Sequence, residues 1–199
     1  MTEKALLRKE KLAERRQLSD AECAALSQRV CDTFLESDEY KKASTILLYK
    51  AYNNEVDTDM IFERAIKDGK TVAYPVSAIV DQEPEMTFYP VPDKGFFKAG
   101  FKGILEPDTS MIDVAFEGQA DICIAPGAVF DRKCNRIGYG RAFYDRYIRL
   151  NVPGLVIGLA FDLQIVDEFD TEECDIPVDM VITESQIIRR CQADKETYR

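Results

Sequence analysis

The chain has 199 residues, of which 46% are hydrophobic and 31% are charged, and its formal net charge is −10 at pH 7. A chain of this length can bury a sizeable core, and we expect one domain over residues 1–199. No apolar run approaches the roughly 20 residues of a membrane-spanning helix, and the net acidity argues against non-specific nucleic-acid binding. The sequence contains no histidine, which excludes histidine-based catalysis and histidine zinc sites.

The six cysteines form no CxxC pair and have no regular spacing, so we expect reduced thiols rather than a disulfide framework. The first 16 residues are charged throughout and lack the apolar segment of a secretory signal. We therefore expect a cytoplasmic protein with neither a membrane nor a nucleic-acid partner.

Two helices are predicted within residues 1–36. The first spans residues 3–16, and the second begins at Ser19, where the sequence SDAE forms a capping box. Apolar residues then recur at helical spacing and are expected to face the core: Cys23, Leu26, Val30 and Phe34.

Short apolar runs predict buried strands at 44–51, 71–76, 86–91, 122–125, 155–161 and 180–183. Pro90 indicates that the strand at 86–91 is an edge strand. A helix is predicted at 58–67. Residues 92–118 are expected to form a loop and residues 193–199 a frayed tail. The alternation of strands and helices along the chain predicts an α/β fold, a three-layer sandwich with a mainly parallel, Rossmann-like sheet. The ligand is then expected at the carboxyl ends of the strands.

Residues 121–150 have the pattern of a phosphate site. A buried strand is followed by a hairpin at 130–137, the loop Gly138-Tyr139-Gly140 and a helix. The amino terminus of a helix favours anions, although Gly-x-Gly alone is common in ordinary turns. Basic residues are concentrated in this stretch of an acidic chain: Arg132, Lys133, Arg136, Arg141, Arg146 and Arg149.

On the helix after this loop, helical spacing predicts an apolar face formed by Phe143, Tyr147 and Leu150. Tyr144 and Asp145 are therefore expected to lie off that face. Such a position leaves the Asp145 carboxylate accessible to a ligand.

Three acidic features have a structural and a functional interpretation. Asp145 either pairs with Arg141 or Arg149 within its helix or holds Mg²⁺ beside a phosphate. On the metal interpretation, Asp145→Asn should abolish turnover with little loss of stability. Residues 162–184 contain nine acidic residues and no basic one, which indicates a solvated rim or a metal-binding lip. Glu55 is either solvated or accepts paired N–H donors from a heterocycle.

Several short motifs occur together and in order: KALLR at 4–8, EVDT at 55–58, GILEP at 103–107, APG at 125–127, RIGYG at 136–140, IGLAF at 157–161, DIPVD at 175–179 and VITE at 181–184. In this order and spacing they resemble the 5-formyltetrahydrofolate cyclo-ligase family, also called 5,10-methenyltetrahydrofolate synthetases. The resemblance extends from near the amino terminus to about residue 184.

The resemblance implies an ATP- and Mg²⁺-dependent cyclisation of 5-formyltetrahydrofolate to 5,10-methenyltetrahydrofolate, with release of ADP and phosphate. It also implies that ATP phosphorylates the formyl oxygen, that N10 then attacks the activated carbon, and that phosphate leaves. Alignment and charge neutralisation suffice for such chemistry. The partners are then small molecules, and the protein is expected to act as a monomer. Two alternatives stay open: a non-catalytic reduced-folate or nucleotide binding protein, and a sugar-phosphate isomerase or sensor.

The resemblance also assigns site residues. It implies ATP binding by Lys4, Ala5, Leu6, Leu7, Arg8, Arg136, Ile137, Gly138, Tyr139, Gly140, Arg141, Ala142, Phe143 and Tyr144. It implies folate binding by Lys50, Glu55, Tyr139, Gly140, Arg141, Ala142 and Phe143. Asp145 and Asp175 would hold Mg²⁺, and Arg141 and Tyr144 would be catalytic.

The sequence departs from the family pattern at three places, one of which is Lys50, where the family more often has an uncharged residue. Arg141-Ala142-Phe143 stands where the family usually has Gly-Gly-Tyr or Lys-Gly-Tyr. Ala142 is expected to be strained if its position requires a positive φ. Cys174 stands where many members have histidine.

Overall fold

The computed structural model describes residues 2–100 and 103–191. The helices are α1 (Glu3–Arg15), α2 (Asp20–Glu36), α3 (Asp38–Lys42), α4 (Asp59–Lys67) and α5 (Phe143–Asn151). The strands are β1 (Thr45–Leu47), β2 (Thr71–Val80), β3 (Glu83–Pro90), β4 (Phe97–Ala99), β5 (Leu105–Pro107), β6 (Ile122–Ala125), β7 (Val129–Asp131), β8 (Arg136–Ile137), β9 (Leu155–Leu159), β10 (Ile165–Val166), β11 (Met180–Ile182) and β12 (Ile187–Arg189). The tail predicted at 193–199 lies outside the described residues.

The main sheet has the strand order β12-β11-β9-β6-β1-β2-β3. Its five inner strands pair in parallel. The edge strands β3 and β12 pair antiparallel with their neighbours. The predicted α/β fold with a mainly parallel sheet is confirmed, and β3 occupies the edge that its proline predicts.

Successive residues of the central strands face opposite sides of this sheet. Ile46 and Ile122 belong to the cluster that contains the buried side chains of α2 and α4. Leu47 and Cys123 pack with Tyr147 of α5 on the other face. This alternation follows from the two-residue period of a strand and places helices on both sides of the sheet.

The segment boundaries differ from the predictions where local sequence does not decide them. β1 ends at Leu47, although the apolar run continues to Ala51. The predicted loop at 92–118 contains a hairpin, β4–β5. A smaller sheet of order β10-β7-β8 contains the predicted hairpin at 130–137. Ser19 caps α2 with the predicted capping box.

Two further observations concern the whole described chain. Each of the six cysteines is a free thiol. Among residues 2–100 and 103–191, none of the helices has the length and apolar character needed to cross a membrane.

Candidate active site

A cavity of about 690 Å³ lies where β1 and β6 end. Side chains of α1 form one wall, and the hairpin β4–β5 contributes residues to another. The loop between β8 and α5, residues 138–142, also lines it and is called the glycine loop below. Most residues assigned by the resemblance line this cavity: Lys4, Arg8, Lys50, Glu55, Arg136, Ile137, the glycine loop, Phe143, Tyr144, Asp145 and Asp175.

Only one face of α1 lines the cavity. Lys4 and Arg8 are on this face, together with Leu12. Ala5, Leu6 and Leu7 are absent from the lining; Leu6 is 54% exposed and Leu7 packs against the small sheet. Consecutive helical residues point in different directions, so a continuous five-residue motif cannot place every side chain in one site.

The glycine loop approaches two arginines closely. The Gly138 carbonyl accepts a 2.7 Å hydrogen bond from Arg8 Nε. A side chain at Gly138 would begin 2.7 Å from the Arg136 guanidinium, and Gly140 has a φ of +85°. Ala142 has φ +51° and ψ +19° at the start of α5. The position does require a positive φ, and alanine there is strained as expected.

Asp145 is held by a buried cation. Its Oδ1 accepts a 2.8 Å hydrogen bond from Arg136 Nη2 and a 3.2 Å bond from the Ile176 amide. The Arg136 side chain is only 3% exposed, and its Nη1 donates to the Pro126 carbonyl at 3.1 Å. The structural alternative for Asp145 was a salt bridge with Arg141 or Arg149 at helical spacing. Its ion-pair partner is instead Arg136, nine residues earlier, on the other side of the glycine loop.

The predicted orientation of α5 is wrong at two residues, Leu150 of the expected apolar face and Tyr144, which was expected to lie off that face. Tyr144 packs into the core with Tyr147, and Leu150 is 68% exposed. The Tyr144 hydroxyl is buried and, within the described part of the chain, has no hydrogen-bond partner. Burial raises the pKa of Tyr144 well above its usual value, so this hydroxyl is a neutral donor beside the cavity.

Glu55 is buried, with 6% exposure, and the interpretation of a solvated carboxylate is wrong. Its Oε1 accepts a short hydrogen bond from the Tyr139 hydroxyl, and its Oε2 accepts one of 2.9 Å from the Tyr52 amide. Burial raises the pKa of Glu55, and these hydrogen bonds and the Arg15 charge oppose that effect. Glu55 is thus a buried acceptor that borders the cavity.

Lys50 lies between the cavity and the core. Its ammonium is 2.5 Å from Asp59 Oδ1 and 4.5 Å from the centre of the Phe97 ring. The Lys50 side chain is 9% exposed. Lys50 therefore brings an internally paired positive charge to the wall that also carries Glu55.

Asp175 meets the first helix at the cavity. Lys4 Nζ lies 2.5 Å from its Oδ2. The ligand atoms of Glu172, Cys174 and Asp175 lie within 4.8 Å of one another. Carboxylate oxygens are the ligands that Mg²⁺ prefers, whereas thiols suit softer metals, so Glu172 and Asp175 fit the predicted ion and Cys174 does not. Asp145, the other predicted ligand, is not a member of this group. Glu172 and Cys174 also line the cavity.

The acidic segment 162–184 has an exposed part and a part that borders the cavity. Asp167 and Glu168 form exposed ion pairs with Arg132 and Lys133. The residues near Asp175 instead border the cavity. The segment is therefore a solvated rim at its beginning and a set of candidate metal ligands further along.

Arg15 was not identified from the sequence. It is 1% exposed, and its guanidinium donates to Tyr139, the hydrogen-bond donor of Glu55. Its spacing of seven from Arg8 and eleven from Lys4 is the signal that places it on the same helical side. Helical spacing gives no signal for Glu172 and Cys174, because they lie in the irregular segment that contains Asp175.

The sequence model described as the 5-formyltetrahydrofolate cyclo-ligase family matches residues 1–184. A Haemophilus influenzae protein named 5-formyltetrahydrofolate cyclo-ligase is 30% identical over 153 residues, which cover 76% of this chain and 81% of the relative. The Escherichia coli K12 protein of the same name is 27% identical, over 87% of this chain and 96% of the relative.

Solved structures agree with these matches. The Aquifex aeolicus 5,10-methenyltetrahydrofolate synthetase aligns with a TM-score of 0.81 and 30% identity, covering 94% of this chain and 93% of that one. The Mycoplasma pneumoniae synthetase aligns with a TM-score of 0.71 and 26% identity, covering 92% of this chain and 100% of that one. Both alignments cover more than nine-tenths of this chain, so the shared fold extends over nearly its whole length.

Proposed function

This chain belongs to the 5-formyltetrahydrofolate cyclo-ligase family, and from that premise we propose that it cyclises 5-formyltetrahydrofolate to 5,10-methenyltetrahydrofolate with Mg-ATP, releasing ADP and phosphate. One observation carries the proposal. A single cavity brings together the cations of α1, the glycine loop, the carboxylate of Asp175 and the buried Glu55. The cations and the glycine loop suit a triphosphate, the Asp175 carboxylate suits a divalent cation, and Glu55 suits a heterocycle with N–H donors.

The ATP phosphates are assigned to the side of the cavity formed by α1 and the glycine loop. Lys4 and Arg8 supply positive charge, and the hydrogen bond from Arg8 to Gly138 fixes the loop against the helix. The amino terminus of α5 follows this loop and adds N–H groups that favour anions. Arg141 lines the same cavity, where a guanidinium can meet two phosphate oxygens at once.

Asp145 and Asp175 are proposed to hold Mg²⁺, with Glu172 beside Asp175. Bound there, Mg²⁺ would neutralise phosphate charge and orient the γ-phosphate. Asp145 is oriented for this role by the two N–H groups that its Oδ1 accepts. Asp175 is kept at the cavity edge by Lys4 and by the Glu172 amide, which donates to its Oδ2 at 2.7 Å.

The pterin is assigned to the opposite wall, around Glu55 and Lys50. A carboxylate has about four acceptor positions, and the Tyr139 and Tyr52 bonds occupy one on each Glu55 oxygen. One position on each oxygen is left for a pair of N–H donors from the heterocycle. Tyr139 is 42% exposed although its hydroxyl bonds to Glu55, so its ring is available at the surface of the cavity.

The glycine loop then lies between nucleotide and folate, where phosphate passes to the formyl oxygen. Such a transfer depends on alignment and on stabilising charge. Arg141 is proposed to stabilise the charge on the transferred group. Tyr144 offers a buried neutral hydroxyl without an internal partner in the described structure, and is proposed to donate to the reacting oxygen.

The decisive experiment mixes purified protein with 5-formyltetrahydrofolate and Mg-ATP and follows the near-ultraviolet band of the methenyl product. We expect the band to appear only when both substrates are present. Folate binding without a product band would favour the non-catalytic binding protein. Thermal protection by sugar phosphates but not by Mg-ATP would favour the isomerase or sensor.

The folate assignment has its own test in Glu55→Gln. This variant should weaken folate binding and leave ATP affinity nearly unchanged, because only the pterin wall is altered. Glu36→Gln, at the exposed carboxyl-terminal end of α2, is the matched control and should change neither. A loss that falls on ATP instead would contradict the assignment of Glu55.

A further inference from the structure

Arg15 joins four segments around the cavity from a buried position. It ends α1 and is 1% exposed. Its Nε donates to the Asn53 carbonyl at 3.1 Å, its Nη1 to the Gly127 carbonyl at 3.4 Å, and its Nη2 to the Tyr139 hydroxyl at 2.8 Å. A buried charge is costly unless it is compensated, so the partner of this cation needs to be identified.

The compensating charge is Glu55, reached through Tyr139. The ion pairs of the described residues include neither Arg15 nor Glu55. The Tyr139 hydroxyl instead accepts from Arg15 and donates to Glu55. Arginine always keeps its proton, and burial raises the pKa of Tyr139. The direction of the Arg15–Tyr139 bond is therefore fixed, and Tyr139 donates to Glu55 whenever Glu55 is ionised.

We propose that Arg15 is a positioning residue that acts through Tyr139 to keep Glu55 ionised and oriented toward the N–H donors of the folate. The inference rests on the proposed function for the identity of the ligand. It assigns to a residue outside the cavity lining a role in folate specificity. Because Asn53 is also bonded to Arg15, the same guanidinium fixes the segment that leads to Glu55.

Three other titratable groups lie near Glu55, and they do not supply the positive charge that Arg15 provides. Tyr49 and Tyr144 both interact electrostatically with Glu55, and burial raises the pKa of each. The Cys23 thiol bonds to the Glu55 carbonyl at 3.7 Å, and burial raises its pKa as well. These three groups are neutral near pH 7, and the Lys50 ammonium on the same wall is paired with Asp59. Arg15 is the cation whose charge lowers the pKa of Glu55.

If the role of Arg15 were purely structural, its replacement would lower stability and reduce the binding of all ligands alike, at every pH. If Arg15 acts on Glu55 as proposed, its replacement would instead raise the pH at which Glu55 ionises. Folate affinity would then fall most at low pH, where Glu55 is protonated, whereas ATP affinity would follow the wild-type pH profile.

The first measurement is a titration of Glu55 in the free protein, followed by NMR of ¹³C-labelled glutamate side chains and assigned with Glu55→Gln. Arg15→Met and Tyr139→Phe both interrupt the Arg15–Tyr139–Glu55 contacts, and the second keeps an aromatic ring in place. We expect the Glu55 midpoint to rise by about one pH unit in both variants, a shift typical of losing a nearby opposite charge or a hydrogen bond to the anion. Arg64→Met, which removes an exposed arginine of α4, should leave the midpoint unchanged.

The second measurement is the dissociation constant of 5-formyltetrahydrofolate against pH, with ATP as the comparison ligand. Each unit of upward shift should weaken folate binding about tenfold below the midpoint. An unshifted Glu55 midpoint in either folded variant overturns the proposal. A shifted midpoint with no folate binding by the wild-type protein would support the Arg15 contacts and refute the proposed function, so the two failures are distinguishable.

Discussion

Lys4 Nζ lies 2.5 Å from Asp175 Oδ2, which joins the basic first helix to the acidic segment at the edge of the cavity. If Asp175 holds Mg²⁺, Asp175→Asn should raise the Mg²⁺ concentration for half-maximal turnover by at least about tenfold. The measurement is turnover against Mg²⁺ at saturating ATP. Glu168→Gln removes an exposed acid from the same segment and should leave the Mg²⁺ dependence unchanged. An unaltered dependence in Asp175→Asn would exclude Asp175 from the metal site.

The Arg136–Asp145 pair changes the expectation for Asp145→Asn. The sequence predicted loss of turnover with little loss of stability. Because Arg136 is buried, the amide would leave its charge uncompensated, and we expect a loss of about 2 kcal/mol in the free energy of unfolding. Urea unfolding measures this. Glu83→Gln breaks the exposed pair with Arg146 and should cost less than about 0.5 kcal/mol. Equal costs in the two variants would show that Asp145 contributes no buried pairing.

The strands of the parallel sheet were predictable because both of their faces are buried. Such strands are continuous apolar runs, and the runs at 122–125 and 155–161 become β6 and β9. The hairpin β4–β5 has mixed burial and no clear period, so a loop was the natural prediction. The end of β1 is set by where its neighbours stop pairing, which its own residues do not encode.

The lining of the cavity was predictable as a set of residues but not as a set of contacts. Short motifs placed the glycine loop, Glu55 and Asp175 near a shared ligand, and the cavity contains them all. The pairing of Asp145 with Arg136 joins α5 to β8 across the glycine loop, and neither segment encodes it by its own sequence. The burial of Arg15 depends on three distant segments meeting at one helix end, and charged residues are seldom buried.

The strained Ala142 predicts a stabilising substitution. With φ at +51°, alanine is disfavoured by about 1 kcal/mol relative to glycine, since only glycine adopts this region freely. Ala142→Gly should raise the free energy of unfolding by about 0.5 kcal/mol, because the greater entropy of the unfolded glycine chain offsets part of the gain. Ala24→Gly, on the exposed side of α2, should instead lower it by about 1 kcal/mol. Destabilisation by both substitutions would contradict the strain at Ala142.

The raised pKa of Glu55 predicts how stability varies with pH. Burial raises this pKa above its usual 4.5, so between the two values the folded protein binds more protons than the unfolded chain. By linkage, the Glu55 contribution to stability is complete below pH 4.5 and is lost as the pH rises through the folded-state pKa. Glu55→Gln lacks this titration, so its free energy of unfolding should increase relative to wild type over the same range.

Urea unfolding at a series of pH values from about 4.5 to 8 tests this difference. Glu36→Gln controls for the removal of one negative charge from the surface. A difference between Glu55→Gln and wild type that decreases with pH would mean that the pKa of Glu55 is lowered on folding. In that case the hydrogen bonds from Tyr139 and Tyr52, together with the Arg15 charge, would outweigh the cost of burying the carboxylate.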